Sequence, residues 1–283
     1  MGRGKQARGL QAGAEQGSPA NATKQDLNDE SWYQFTDTSA CGTGARMEQE
    51  VMHQAGACST STCSTGIRQV DRSKPVVFQV GHLGSTYWEW VDRPEQGTPR
   101  FFGPTLMEAV SKTPWWVVPL LWGPFFASCM ESARTAYGLT APLLLVWLAV
   151  GVVSWQLLEY IIHRCLFHSQ PLTYWGITLH FLFHGCHHKY PSDRLRLVFP
   201  PVPAAVVIAV VYAVLHATLP ARHAAPLFAG MGLGYVAYDC LHYACHHAGP
   251  RSLPGPLRSL RRRHMDHHFR DHSRGYGISS PLW

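Results

Sequence analysis

The sequence predicts an all-helical integral membrane protein with four transmembrane helices and a cap of shorter helices at one membrane face. Three observations lead to this prediction. Only 15% of the 283 residues are charged, against about 25% in soluble domains, which indicates a surface that partly faces lipid. Four long stretches carry no charged residue at all. Of the 17 histidines, 15 lie between His163 and His272, and most of these fall outside the uncharged stretches.

The chain divides into two regions of different composition. Residues 1–73 are rich in Gly, Ser, Thr, Gln and Ala without apolar periodicity, so this region cannot bury enough surface to order itself. It is predicted to be a disordered N-terminal tail. Residues 74–283 hold most of the aromatic residues and all four uncharged stretches, and they are predicted to form one membrane-embedded domain.

The four uncharged stretches predict the transmembrane helices. A helix needs about 20 residues to cross the hydrocarbon core of a bilayer, and the second and third stretches meet this length. The first and fourth are shorter and contain prolines or glycines, which membrane helices tolerate when neighbouring helices satisfy the backbone. In chain order the stretches are Thr113–Met130, Thr135–Leu158, Leu197–Ala221 and His223–Tyr238.

The number of crossings fixes where the histidines lie. With four crossings, the short linker between the first and second helices and the one between the third and fourth lie on the same membrane face. All histidine-rich segments then lie on the opposite face. Residues 251–274 carry seven Arg against two Asp, and the positive-inside rule places such a segment in the cytosol. The excess of positive charge is therefore mostly next to the membrane, and a nucleic-acid-binding function is excluded.

The histidines on this face form four clusters: HRCLFH (163–168), HFLFHGCHH (180–188), HYACHH (242–247) and HMDHH (264–268). Residues three or four apart share one face of a helix, so each cluster can direct two or three imidazoles at one centre. The four clusters together supply about ten. Because one metal ion takes four to six ligands, the pattern predicts two metal ions. His216 and His223 lie outside the clusters and are interpreted as ordinary packed histidines.

The ligand type narrows the choice of metal. Imidazole suits zinc, copper, iron and nickel, and no cysteine is placed to complete a closed structural zinc site. A pair of metal ions held by histidines beside acyl chains indicates activation of O2 against an unactivated C–H bond. This reaction needs a redox-active metal. Iron is therefore the predicted active metal, although zinc could occupy the same site in a purified sample.

At these residues the chain resembles the membrane fatty acid hydroxylase superfamily, most closely the fatty acid 2-hydroxylases that act on the acyl chain of ceramide or dihydroceramide. The resemblance covers about residues 74–283. It is carried by the strings KPVVFQVGHLG (74–84), EYIIHRCLFH (159–168), HGCHHKYPSDRLRLVFPP (184–201), GYVAYDCLHYACHH (234–247), HMDHHF (264–269) and GYGISS (275–280).

The resemblance implies a multi-pass enzyme of the endoplasmic reticulum membrane with its catalytic face in the cytosol. It implies 2-hydroxylation of a fatty acyl chain with O2, at two metal ions that are commonly observed as zinc and inferred to be iron in the active enzyme. It also implies ten ligands, divided between the metals as His163, His168, His184, His188 and His267 for one, and His187, His242, His246, His264 and His268 for the other.

Further residues are implied around these ligands. His180 and His247 are predicted to support the ligands without binding metal. Asp239 is predicted to accept a hydrogen bond from a metal-bound imidazole or to contact the polar part of the substrate together with Tyr238. For Asp239 and Tyr238 alike, a role in packing or helix capping is the open alternative. Tyr276 is a further substrate candidate. His187, His268 and Asp239 are the predicted catalytic residues.

Two departures from the family pattern concern the ends of the chain. Many relatives carry an N-terminal cytochrome b5 domain with an H-P-G-G string, which residues 1–110 lack. The expected electron donor is therefore a separate protein such as cytochrome b5. Relatives also usually continue beyond the GYGISS string for a further stretch, so a shortened C-terminus is expected here.

Two alternatives remain open at this point. A sterol desaturase, C-4 methyl oxidase or carotenoid hydroxylase shares the same arrangement of histidine clusters. A zinc-handling membrane protein is the alternative outside enzymes, but it predicts polar ligands near the middle of the bilayer, whereas these histidines gather at one end of the spans.

Overall fold

The computed structural model describes residues 69–249 and 252–282, and the regular structure in these ranges is helical, without a strand. The helices are α1 (Val77–Val80), α2 (Tyr87–Val91), α3 (Thr105–Val110), α4 (Val117–Tyr137), α5 (Ala141–Ile161), α6 (Tyr174–His180), α7 (Cys186–Lys189), α8 (Pro201–Thr218), α9 (Ala221–His247) and α10 (Gly255–Phe269). The predicted all-helical fold is thus confirmed for the described residues. The predicted disordered tail lies outside them, apart from its last five residues.

Three irregular turns connect these helices. A 3-10 helix, Gly81–Thr86, joins α1 to α2. Two π-helical turns, Ile162–Phe167 and Phe181–Gly185, directly follow α5 and α6. Both π-helical turns contain histidines of the predicted clusters, and π-helical turns inside α-helices are frequent at functional sites.

Two helices of the described residues are long and apolar enough to cross a membrane. They are α5 with its following π-helical turn, Ala141–Phe167, and α8. Only 6% of the apolar window of each is buried inside the protein, so their side chains face outward, unlike those of a core helix in a soluble protein. These helices correspond to the second and third predicted spans. The full four-span arrangement remains a prediction.

The other two predicted spans form the long helices α4 and α9, and α9 differs from α5 and α8 in how it packs. α9 is the central helix: its buried residues include Ala229, Gly230, Gly232 and Gly234, and such small residues lower its hydropathy. They allow close packing, since a Cβ on Gly151 of α5 would lie 2.4 Å from the carbonyl carbon of Gly230. α9 therefore packs against its neighbours more than it faces outward.

Two helices, α9 and α4, continue well beyond the ends of their predicted stretches. The fourth stretch ends at Tyr238, but α9 continues without interruption to His247, because the polar residues that follow are as compatible with helix as the apolar ones. The first stretch ends at Met130, whereas α4 continues to Tyr137 and ends at Gly138, whose φ of 62° is the left-handed conformation that terminates helices.

The short helices form a cap with its own apolar core. Val77, Val80, Tyr87, Ile177 and Phe181 are buried together. The Lys189 ammonium group, at the end of α7, joins this cap to the histidine-bearing segment: it donates to the carbonyls of Trp90 (2.9 Å) and Arg93 (2.7 Å). α7 is thereby fixed against the segment that follows α2.

Candidate metal centre

The first π-helical turn brings two histidines together that an α-helix would separate. His163 and His168 are five residues apart, which in an α-helix corresponds to about 140° around the axis. In the structure the His168 N–H donates to the His163 carbonyl at 3.1 Å, the five-residue hydrogen bond of a π-helix. Their ring centroids consequently lie 5.0 Å apart.

The second π-helical turn and α7 supply the next three imidazoles. His184 lies in the turn, and its ring stacks on Phe167 of the first turn at 5.0 Å. His187 and His188 follow on α7 and are both buried. Because His187 and His188 are adjacent in the chain, their side chains point in different directions and reach different centres.

Two regular α-helices supply the remaining five imidazoles. His242 and His246 lie four residues apart on α9, and His264 and His268 have the same spacing on α10. This spacing places each pair on one helix face. His267 also lies on α10 but points to a different centre from His268.

The ten predicted ligands meet in two clusters of five. Within each cluster the possible ligand atoms all lie within 4.8 Å of one another. The first cluster consists of His163, His168, His184, His188 and His267, and the second of His187, His242, His246, His264 and His268. The clusters adjoin, because the rings of His188 and His268 stack with centroids 4.3 Å apart.

The imidazole nitrogens approach one another closely inside each cluster. In the first cluster, the Nε2 atoms of His163 and His168 each lie 3.2 Å from the Nε2 of His184. In the second, the Nε2 atoms of His242 and His187 are 2.9 Å apart, and those of His246 and His264 are 2.7 Å apart. A neutral imidazole has only one N–H, so several converging nitrogens present lone pairs to the same centre.

Two imidazoles of the first cluster have their tautomer fixed by the backbone. The His163 Nδ1–H donates to the Tyr276 carbonyl at 2.6 Å, and the His267 Nδ1–H donates to the Arg274 carbonyl at 2.6 Å. Each hydrogen bond leaves the Nε2 lone pair free to bind metal. This is the usual arrangement around a metal-bound histidine.

Several buried nitrogens lack a hydrogen-bond partner among the described residues. Those that belong to the two clusters are Nδ1 and Nε2 of His188 and of His268, Nδ1 of His264 and Nε2 of His267. Buried polar atoms are normally paired, so such a concentration of unpaired nitrogens needs an explanation. Metal ions would supply partners for the Nε2 atoms, and the donor set of the two clusters therefore fits a pair of metal ions.

Burial also keeps these imidazoles in the form that binds metal. It lowers the pKa of His187, His188, His264 and His268 well below the ordinary value of 6.5. The cause is the loss of hydration that the charged imidazolium would suffer. At neutral pH these side chains are uncharged and do not have to release a proton before a metal ion binds.

The two predicted supporting histidines differ in their surroundings. The His180 Nε2–H donates to the Phe167 carbonyl at 2.6 Å, and its Nδ1 accepts from the Tyr87 hydroxyl at 2.7 Å. His180 thereby braces the first π-helical turn between His163 and His168. His247 packs against the Tyr243 ring at 4.7 Å and has no such role in the described residues.

The predicted substrate residues lie beside the clusters. The Asp239 carboxylate accepts from the Phe199 N–H at 3.2 Å and from the Tyr235 hydroxyl at 3.3 Å, and not from His242. Tyr238 stacks on the His242 ring at 5.8 Å. The Tyr276 ring contacts His168 at 5.2 Å, in the first cluster.

Sequence reasoning missed one buried residue of this region. Glu159 is 4% exposed, and its carboxylate accepts the Ile278 N–H at 2.6 Å and the Ser279 N–H at 3.1 Å. The available signal was a single carboxylate at the end of an uncharged stretch, one helical turn before His163. In the sequence this residue only marks the end of the second uncharged stretch, Thr135–Leu158.

A largely apolar cavity of about 620 Å³ leads away from the histidines. Its wall contains His163, His184, His187 and His242 at one end and Phe228 of α9 at the other. Fourteen residues of helix separate His242 from Phe228, which corresponds to a rise of about 21 Å. Tyr238, Asp239 and Glu159 also line it. The cavity therefore offers a long apolar path that ends at both clusters.

Comparison with known proteins gives a consistent result. The model of the fatty acid hydroxylase family matches residues 148–283. A dihydroceramide fatty acyl 2-hydroxylase of Arabidopsis thaliana is 44% identical over 217 residues, covering 76% of this chain and 90% of that protein. The fatty acid 2-hydroxylase of Homo sapiens is 42% identical over 233 residues, covering 76% of this chain and 62% of that protein.

A solved structure shares the fold. The hydroxylase domain visible in a structure of full-length scs7p superposes with a TM-score of 0.71 at 34% sequence identity. The match covers 77% of this chain and 84% of that one. The likeness extends beyond the histidine strings to the helical arrangement that carries them.

Proposed function

The chain belongs to the fatty acid hydroxylase family, and from this premise we propose that it hydroxylates carbon 2 of the fatty acyl chain of ceramide or dihydroceramide. It is an enzyme of the hydroxylase class, as are the relatives it matches. One observation carries the proposal beyond the family. Two clusters of five imidazoles lie together at one end of a long apolar cavity, which is the arrangement needed to hydroxylate an acyl chain near its polar end.

We propose that each cluster holds one metal ion, with the ten histidines as ligands. The pair, with iron as the active metal and zinc as an alternative occupant, would supply the activation of O2. The carbonyls of Tyr276 and Arg274 orient the imidazoles of His163 and His267, while burial keeps the ligands neutral. His187 and His268 lie where the two clusters adjoin, which supports their assignment as essential to the reaction.

The cavity is proposed to hold the acyl chain. Its apolar wall would exclude water from the reacting carbon and align the chain, so that this carbon is held close to the metal ions. Asp239 and Tyr238 lie in the wall next to His242, and they are proposed to contact the polar amide or headgroup. That contact would determine which carbon reaches the clusters.

The membrane arrangement and the electron donor are also proposed. Four spans would place both clusters on the cytosolic face of the endoplasmic reticulum membrane. Electrons would come from a separate donor such as cytochrome b5. The exposed guanidinium groups of Arg258 and Arg262 lie on α10, the helix that carries three of the ligands, and would suit an acidic protein surface.

The proposal is tested by lipid analysis after expression in a host that lacks its own 2-hydroxylase. We expect 2-hydroxy ceramides with the unaltered chain and none with His187→Ala. The control is His216→Ala, because His216 lies outside both clusters and bonds only to the carbonyl of Tyr212 in its own helix. Sterol or carotenoid products in place of 2-hydroxy acyl chains, or full activity of His187→Ala, would overturn the proposal.

A further inference from the structure

Glu159 is a buried carboxylate that the proposed reaction does not use. It lies in the last turn of α5, four residues before His163, and only 4% of its surface is exposed. Among the described residues it forms no ion pair. A buried carboxylate without a cation is costly unless hydrogen bonds satisfy it, so the identity of its donors indicates what the residue does.

All of its hydrogen-bond donors come from the far end of the chain. The carboxylate accepts the backbone N–H of Ile278 at 2.6 Å and of Ser279 at 3.1 Å, and it also accepts the Ser279 hydroxyl. Three donors therefore converge on one side chain. Glu159 fixes the C-terminal segment (residues 274–280) against the end of α5.

The same segment holds two imidazoles of the first cluster. The carbonyl of Tyr276 accepts from His163 and the carbonyl of Arg274 accepts from His267, both at 2.6 Å. Gly275, between these two carbonyls, has a φ of 72°, a conformation that glycine adopts without strain. The segment thus presents acceptors to the histidines at one end and donors to Glu159 at the other.

We propose that Glu159 is a positioning residue for the first cluster, acting through the C-terminal segment. By holding Ile278 and Ser279, it keeps the carbonyls of Tyr276 and Arg274 where they direct the Nε2 atoms of His163 and His267 toward the metal. This inference rests on the proposed function, because it requires a metal ion in each cluster.

Within residues 69–249 and 252–282, the second cluster has no equivalent connection to the C-terminal segment. The Nδ1 atoms of His264 and His268 have no hydrogen-bond partner among the described residues, and neither histidine bonds to the C-terminal segment. Loss of the Glu159 carboxylate should therefore weaken metal binding in the first cluster and leave the second intact. A residue that only stabilised the fold would affect both clusters alike.

Glu159→Gln tests this because an amide cannot accept from all three donors. Both N–H groups bond to Oε1, so the NH2 group would replace the oxygen that accepts from the Ser279 hydroxyl, and the negative charge that strengthens all three hydrogen bonds would also be lost. The experiment measures metal ions per purified chain by mass spectrometry of the metal. We expect about two for the unaltered protein and about one for Glu159→Gln. Glu131→Gln is the matched control, since Glu131 is exposed and pairs only with Arg134, and it should retain two.

Double variants identify the cluster that loses its metal. Glu159→Gln combined with His163→Ala should retain about one ion, because both changes act on the first cluster. Glu159→Gln combined with His187→Ala should retain almost none, because the changes act on different clusters. Loss of both ions or of neither in Glu159→Gln alone overturns the proposal, and so does a retained ion in the combination with His187→Ala.

Ser279→Ala provides a milder change in case Glu159→Gln does not fold. It removes one donor and keeps both backbone hydrogen bonds, and we expect the affinity of the first cluster for metal to fall about 10-fold, within the usual range for residues that support ligands. Unchanged affinity in a chelator competition would count against the proposal. An unaltered protein with fewer than two ions would instead contradict the proposed dimetal function, so the two failures are distinguishable.

Discussion

The two histidine clusters use the same side chain but are built on different kinds of backbone. The second cluster takes four of its five imidazoles from the regular helices α9 and α10, at four-residue spacing. In the first cluster, two imidazoles come from the π-helical turns, one directly follows the first of these turns, and the other two come from α7 and α10. Two of these five imidazoles, those of His163 and His267, are oriented by backbone carbonyls of the C-terminal segment. One cluster follows from helix periodicity, and the other depends on tertiary contacts.

The difference extends to exposure. All five histidines of the second cluster are buried, whereas His168 of the first is only half-buried. A cluster made on two packed helices can close completely, while one made on turns retains an edge that solvent can reach. The second cluster should therefore be the more robust site and the first the more readily perturbed.

The largest expected effect separates two adjacent residues of α10. His267→Ala removes a ligand of the first cluster and His268→Ala removes one of the second, and each variant should retain about one metal ion. Both should lose more than about 100-fold in hydroxylation rate, since loss of a supporting residue alone typically costs 10–100-fold. Measurement of metal content and 2-hydroxy product checks this. If either variant retained two ions, the division into clusters would be wrong.

A smaller effect compares His180 and His247, the two histidines predicted to support the ligands. His180→Ala should lower activity about 10–100-fold, because it releases the Phe167 carbonyl that holds the first π-helical turn. His247→Ala should change activity by no more than about threefold, consistent with a residue without specific bonds. Rates at matched protein and lipid content provide the measurement. Equal effects of the two changes would contradict the role given to His180.

A dependence on pH follows from the buried imidazoles. Burial holds the pKa of His264 below 6.5 in the folded state, so only the unfolded chain takes up a proton as the pH falls through about 6.5. The metal-free protein should thus lose stability below this pH, by up to about 1.4 kcal/mol per pH unit for each such histidine. Thermal unfolding midpoints between pH 7 and pH 5 measure the loss.

One variant makes this pH dependence specific. His264→Leu removes one buried titrating group, so unfolding of this variant should take up about one proton fewer. Its unfolding midpoint should therefore change less steeply with pH. His216→Leu, which alters a half-buried histidine outside both clusters, should keep the slope of the unaltered protein. A slope that stayed the same in His264→Leu would show that the buried clusters do not govern acid stability.

The smallest expected effect concerns the kinetics of metal loss. A chelator should remove the two ions in separate phases, the faster one from the first cluster because His168 gives it a solvent-accessible edge. His267→Ala should abolish the fast phase and His268→Ala the slow phase. Time-resolved metal release with a chromophoric chelator measures both. A fast phase that persisted in His267→Ala would reverse the order of the clusters.

Much of the site could be predicted from the sequence because its signal is local. The four histidine strings, the length of the apolar stretches of α5 and α8 and the family resemblance all lie in contiguous residues. His242 with His246, and His264 with His268, share a helix face by spacing alone. The ten residues grouped in the structure are the ten expected, in the expected division, although their binding of metal remains a proposal.

The parts that could not be predicted depend on contacts between distant segments. Five-residue spacing in an α-helix does not bring His163 and His168 together, so the π-helical turn was not expected. The Asp239 carboxylate accepts a hydrogen bond from the backbone of Phe199, forty residues away, and not from an imidazole of the clusters. The role of α9 as a central packed helix depends on Gly230 and its neighbours meeting α5, which hydropathy does not describe.

The sequence by itself determined the helical class and the concentration of imidazoles in four short strings, because residue type and periodicity act over a few neighbouring positions. Only the tertiary structure decided how the imidazoles are oriented and held. Glu159 shows the physical reason. A lone carboxylate at the end of an apolar helix has no defined role until folding brings Ile278 and Ser279, about 120 positions later, within hydrogen-bond distance.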